Sequence, residues 1–270
     1  MLTLTNRLLR MMKAHQFVTE EMAKLQIAER IRHKQPNELS YKQPSKLASN
    51  HRKVCKLFAY FIYMLYRSFA RNIAQQVSYS TFREDMRSND TDTLDEDTVA
   101  DYIKALKKLF VVEDLEAWNP NLRSKAAIRT SDTRHFVDPS IATAALGVGP
   151  KDLVNDLNSF GLLFESMAVR DLRVYAEALD GKLYHYRDNT GLECDTVLHR
   201  RNGSYALIEV KLGGETKIEE GAHNLKALAN KIDTTRMPNP AVMMVLTAVG
   251  PFAYRRPDNI YVVPIGCLRP

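Results

Sequence analysis

Apolar residues crowd the stretch from Lys53 to Val77 too densely for one exposed helical face, which predicts a buried helix around which neighbours pack. "SYSTFREDM" follows as a short helix with Ser or Thr available as N-cap, and then an acidic loop. In "LDEDTVADYIKALKKLFVVEDLEAW", Val99, Tyr102, Ile103, Leu106 and Leu109 recur at steps of three and four, the mark of one buried helical face, before "FVVEDLEAW" turns to strand. A short strand is expected from Arg134 to Val137, with a turn at Asp138-Pro139.

The pattern changes after residue 150. "DLVNDLNSFGLLFESMAVRDLRVYAEAL" predicts one long helix with Leu163, Met167, Val169, Leu172 and Tyr175 inward and Glu165 within its first turns. Short alternating segments follow, "KLYHYRD", "LECDTVLHR" and "SYALIEVK", the last after a turn at Arg201-Asn202-Gly203. A helix from about Lys217 to Ile232, with Ile218, Ala222, Leu225 and Leu228 on one face, precedes strands "AVMMVL" and "IYVVPI". The order α-β-β-β-α-β-β predicts a mixed sheet covered by helices on both faces. The whole divides into a basic helical arm and linker (1–50), a helical region (51–150) and an α/β region (151–270).

Charge sharpens this division. Residues 1–56 hold twelve Lys/Arg against four Asp/Glu, a net +8, which leaves −2 for the rest of a chain whose total is +6. A basic arm suits phosphates of a nucleic acid and equally a solvated face. The three cysteines, Cys55, Cys194 and Cys267, form no Cys-x-x-Cys pair, so neither a disulfide framework nor a zinc site is expected, in keeping with a reducing cytoplasm. "LFAYFIYMLY" is too short to span a bilayer. With no G-x-x-x-x-G-K-[ST] loop, ATP binding by this chain is not expected.

Two charges stand out in "ALIEVKLGG": Glu209 and Lys211 share one face of an otherwise apolar strand. Glu193, Asp195, Val197 and His199 are expected to share one side of the preceding strand, with Asp195 beside Glu209 if the hairpin pairs matching faces. Glu165 can reach the same spot from its helix. Mg²⁺ or Mn²⁺ held by two carboxylates, waters and phosphate oxygens fits this donor set, and a lysine beside it can orient or help deprotonate an attacking water. Asp195, Glu209 and Glu165 are thus the candidate metal ligands, with Glu193 as substitute, and Lys211 the catalytic cation. His185, His199 and His223 lack ligand spacing and are expected at the surface, whereas His135 has either a packed or a surface role. Tyr184, Tyr186 and Arg187 suit either a nucleic-acid backbone or sheet packing.

"ECD" followed by "IEVK" resembles the signature of the PD-(D/E)XK nuclease superfamily, with Asp195 at the metal-binding Asp, Glu209 and Lys211 at the (D/E)XK element, and Glu165 in "FGLLFES" at the helical acid. "DTVADYIKALKKLFVVEDLEAW", "RHFVDPSIATAALG", "FGLLFESMAVRDL", "YHYRDNTGLECDTVL" and "YALIEVKLGG" also resemble the C-terminal region of a prokaryotic AAA-type ATPase family, over about residues 53–265. That resemblance implies a restriction-endonuclease-like αβββαβ core with a mixed sheet, preceded by an α-helical winged helix-turn-helix, here without the ATPase module. Cys194 and Thr196 flank Asp195 where larger apolar residues are usual in the family.

Two functions follow as expectations. One is a Mg²⁺-dependent endodeoxyribonuclease of the cytoplasm, with DNA as partner. The other is a non-catalytic adaptor that binds nucleic acid, a protein partner or a second copy of itself in association with an AAA-type ATPase. Asp95, Glu96 and Asp97 at the start of the second helix favour a structural or protein-contact role over base reading there, because phosphates would be repelled.

Overall fold

The computed structural model describes residues 60–87, 95–119 and 131–268. The expected basic arm, the linker and the acidic loop after residue 87 lie outside these. The N-terminal part runs α1 (residues 60–71), β1 (Gln75–Gln76), α2 (Tyr79–Met86), α3 (Glu96–Lys108), β2 (Val112–Leu115), β3 (Thr133–Phe136), α4 (Ser140–Leu146) and α5 (Pro150–Asn155). Its strands form an antiparallel sheet in the order β1-β3-β2. Leu65, Phe69, Ile73, Phe82, Met86, Val99, Ile103 and Phe136 fill the core beneath it.

Local chemistry explains where these helices start. Ser78 caps α2 by accepting from Thr81 N at 3.2 Å, and Asp95 caps α3 by accepting from Thr98 N at 2.7 Å. The two hydrogen bonds to Thr98 hold the Asp95 carboxyl below its ordinary pKa. Leu109 departs from the expected apolar face. It is the C-cap of α3, and both it and Phe110, with φ 55°, are exposed where the chain turns into β2. The buried helix also stops earlier than its apolar run, at residue 71, and the chain turns through Ala74 (φ 58°) into β1.

The C-terminal part is α6 (Leu157–Ala178), β4 (Gly181–Arg187), β5 (Glu193–Arg200), β6 (Tyr205–Lys211), α7 (Glu215–Lys231), β7 (Val242–Thr247), β8 (Tyr254–Arg255) and β9 (Tyr261–Pro264). The expected single helix is interrupted. Asp156, at φ −125° and ψ 81°, ends α5 and caps α6 by accepting from Ser159 N at 3.1 Å. The six strands lie in the order β4-β5-β6-β7-β9-β8, antiparallel across β4-β5-β6 and parallel across β6-β7-β9, which makes a mixed α/β sheet. Leu172, Leu183, Leu198, Ile208 and Leu246 join α6 to one face; Val197, Leu207, Val245, Leu225 and Leu228 join α7 to the other.

The two parts are tied at the open edge of β4. His185 N donates to Glu116 O at 2.9 Å and Trp118 N donates to His185 O at 2.6 Å, so the chain leaving β2 runs parallel to β4. Trp118 then inserts beside Tyr186, His199 and Tyr205. Charge pairing adds to this seam through Arg173–Glu113 at 3.1 Å and Lys182–Glu116 at 2.8 Å. His185 and His135 are therefore buried, and desolvation holds them down to about 4 and about 3 respectively. His199 is half-buried against Trp118, while His223 is exposed. The expectation of a surface position fails for His185, because the β2 extension covers it, while His199 is only partly covered, by Trp118. Among the described residues, no helix is long and apolar enough to cross a membrane.

Candidate active site

The site lies at the end of the sheet where β6 finishes. On β6, Ala206, Ile208 and Val210 face α6, while Tyr205, Leu207 and Glu209 face α7. Glu209 is only 1% exposed. It lies so deep because Gly221 brings the α7 backbone close: a Cβ at that position would stand 3.3 Å from both Glu209 Cβ and Val245 Cγ2. The strand then ends in Gly213 and Gly214, whose φ of 129° and 89° turn the chain into α7 without the strain a side chain would bring.

Asp195 reaches this end by a different device. The β4-β5 register slips between the pairs Tyr184↔Val197 and Tyr186↔Cys194, so β5 carries one extra residue there. Cys194 and Val197 consequently pack on the same side although three positions apart, which strict alternation forbids. The expected common face of Glu193, Asp195, Val197 and His199 is thereby broken. Asp195 Oδ2 instead accepts from Val210 N at 2.7 Å, taking the place of a backbone carbonyl. Glu193 is exposed, in an ion pair with Arg187 at 2.9 Å, and reaches the cluster only as the last and smallest of the influences on Glu165. Cys194 is sealed beneath, and burial raises its thiol well above the ordinary range.

Lys211 connects the acids. Its Nζ lies 2.6 Å from Glu209 Oε2 and 3.4 Å from Asp195 Oδ2. The contact to Glu209 lacks hydrogen-bond geometry, so both oxygens of this buried carboxylate are without a well-formed hydrogen bond. Asn224, on α7, acts on Glu209 in favour of its charged form; nothing in the sequence pattern singled it out, because its i, i+3 and i, i+4 neighbours say only which helical face it occupies. Burial, with Asp195 pushing the same way against Lys211, lifts Glu209 to about 8. Glu165, on α6, is raised too, by burial first and then by Asp195. Burial disfavours the Lys211 ammonium, but Asp195 and Glu209 outweigh it and hold its pKa above the ordinary value.

Three carboxylates thus act on one ammonium, and with all four groups charged the cluster carries a surplus of two negative charges. Such a surplus is costly at this depth and is relieved by protons or by a cation. Among the described residues, no three His, Cys, Asp or Glu side chains gather into a group able to hold a metal ion. Mg²⁺ commonly takes only one or two carboxylates and keeps several waters, so two acids that share one lysine are compatible with it by donor type.

Residues 160–268 match a domain of unknown function (DUF4143). Residues 61–152 match another domain of unknown function (DUF8612). No curated protein and no solved structure matches the chain. The first match runs from within α6 to beyond the end of β9, and so contains every residue of the cluster; the second runs from the start of α1 into α5.

Proposed function

We propose that the chain is a metal-dependent nuclease of the PD-(D/E)XK type that hydrolyses DNA phosphodiester bonds, built on a restriction-endonuclease-like core behind a winged helix-turn-helix. The observation that supports this most is Glu209, a carboxylate 1% exposed, short of hydrogen bonds and sharing one lysine with Asp195. Asp195 and Glu209 would hold Mg²⁺ or Mn²⁺, with Glu165 supporting the site. When bound, the ion supplies Lewis-acid stabilisation of charge on the phosphate and lowers the pKa of a bound water. Lys211 keeps its proton, since its pKa is raised, and so orients water or a phosphate oxygen as a donor and does not act as a base.

A second reading is a non-catalytic adaptor for an AAA-type ATPase. The closed Lys211–Glu209–Asp195 network favours it, because a lysine committed to carboxylates is also a structural neutraliser. The acidic start of α3 fits that reading as well. Nicking of plasmid and of single-stranded DNA with Mg²⁺ or Mn²⁺ separates the two. Cleavage is expected from the parent and not from Glu209→Ala or Lys211→Ala; cleavage unchanged by both substitutions would remove the assignment, and DNA binding without cleavage by any form favours the adaptor.

A further inference from the structure

Four exposed apolar side chains lie along the β8-β9 edge of the large sheet and the loop that leads to it, apart from others on α6 and at the start of β7. Val249, Phe252, Tyr254 and Tyr261 are all open to solvent, Phe252 at 62% and Tyr254 at 42%. The segment that carries Val249, Phe252 and Tyr254 crosses the same sheet end as the carboxylate cluster, and Tyr261 stands across from it on β9. Ala248 N donates to Lys211 O at 3.1 Å. A Cβ on Gly213 would lie 2.9 Å from Val249 Cγ2, and one on Gly250 would lie 2.6 Å from Pro264 Cγ. The chain therefore runs from beside Lys211, over the ends of β7 and β9, to β8. That is three strand spacings of about 4.8 Å from β6, a separation of a few nucleotides.

Phe252, in the bend before β8, and Tyr254, the first residue of β8, form an edge-on pair with ring centroids 6.1 Å apart and planes at 68°. On the other side of β8, Arg255 stands over the ring of its register partner Tyr261 at 5.7 Å. Arg256, by contrast, is committed to Glu219 and Asp258. Open aromatic rings suit a ligand with flat π faces, and the exposed Arg255 guanidinium on the far face of the same strand adds positive charge to this edge. A duplex keeps its bases stacked on one another and offers such rings nothing, whereas an unpaired strand presents a face at every base.

We propose that Phe252 and Tyr254 form a stacking platform for unpaired bases, which makes a single-stranded segment the substrate of the neighbouring site. This rests on the phosphodiesterase reading given above. The test is fluorescence anisotropy of a labelled oligo-dT strand and a blunt hairpin duplex, without divalent metal, using the parent and the Phe252→Ala/Tyr254→Ala double variant. The double variant is expected to bind oligo-dT at least about tenfold more weakly, with hairpin binding and melting temperature unchanged. Equal binding of oligo-dT by both forms overturns the platform. So does loss of a dimer in sedimentation with oligo-dT binding intact, which would assign the patch to self-association. Because binding is read without metal, failure of the catalytic reading appears separately, as metal-dependent nicking insensitive to Lys211→Ala.

Discussion

Lys211 Nζ lies 2.6 Å from Oε2 of Glu209, two positions earlier on the same strand, and it is shared with Asp195 at 3.4 Å. The two members of this pair are not equivalent, because Glu165 adds a third acid to one base.

Removing the base should therefore cost far more than removing an acid. Lys211→Met leaves buried carboxylates uncompensated and is expected to destabilise the metal-free protein by about 3–5 kcal/mol. Glu209→Gln keeps the shape and stands in for the largely protonated acid that a pKa of about 8 leaves at neutral pH, so it should be close to neutral. Urea unfolding at neutral pH with chelator present checks both.

Stability should fall as pH rises through this cluster's titration. Glu209 is about 8 in the folded chain, against an ordinary value of 4.5. A group raised in the folded state favours folding below its unfolded pKa, and that contribution drains away between about pH 4.5 and pH 8, at up to about 1.4 kcal/mol per unit. Glu165 is shifted in the same direction. The parent should lose stability across this window in chelator, and Glu209→Gln should lose distinctly less; parallel curves would mean that Glu209 is charged throughout.

Gly221 offers a test of packing above the acid. A Cβ there gains about 1 kcal/mol of helix propensity but meets Glu209 Cβ and Val245 Cγ2 at 3.3 Å. Gly221→Ala should come out near neutral, and Gly221→Val should destabilise by about 1–3 kcal/mol through crowding. Thermal unfolding of the two variants distinguishes them.

Much of this was legible in the sequence where a local rule acts alone. Ser78 and the turn at Arg201-Asn202-Gly203 announce their elements by cap and turn chemistry, and period two correctly puts Glu209 and Lys211 within reach of each other. The same rule fails one strand earlier. The extra residue in β5 is fixed by pairing with β4 and β6, and no residue type in "ECDTV" marks it. The burial of His185 and the exposure of Leu109 likewise depend on where the chain goes next, in one case beneath the β2 extension and in the other past the end of α3. β8, two residues long, is too short to leave a periodic trace.

The central claim is that a divalent cation answers the surplus charge of Asp195, Glu209 and Glu165. Calorimetric titration with Mn²⁺ at neutral pH, repeated in buffers of different ionisation enthalpy, measures it directly. One ion per chain should bind with release of protons from the raised carboxyls, and Glu209→Gln should abolish or sharply weaken both binding and release. Binding of equal strength in Glu209→Gln, or no binding by the parent, would contradict it.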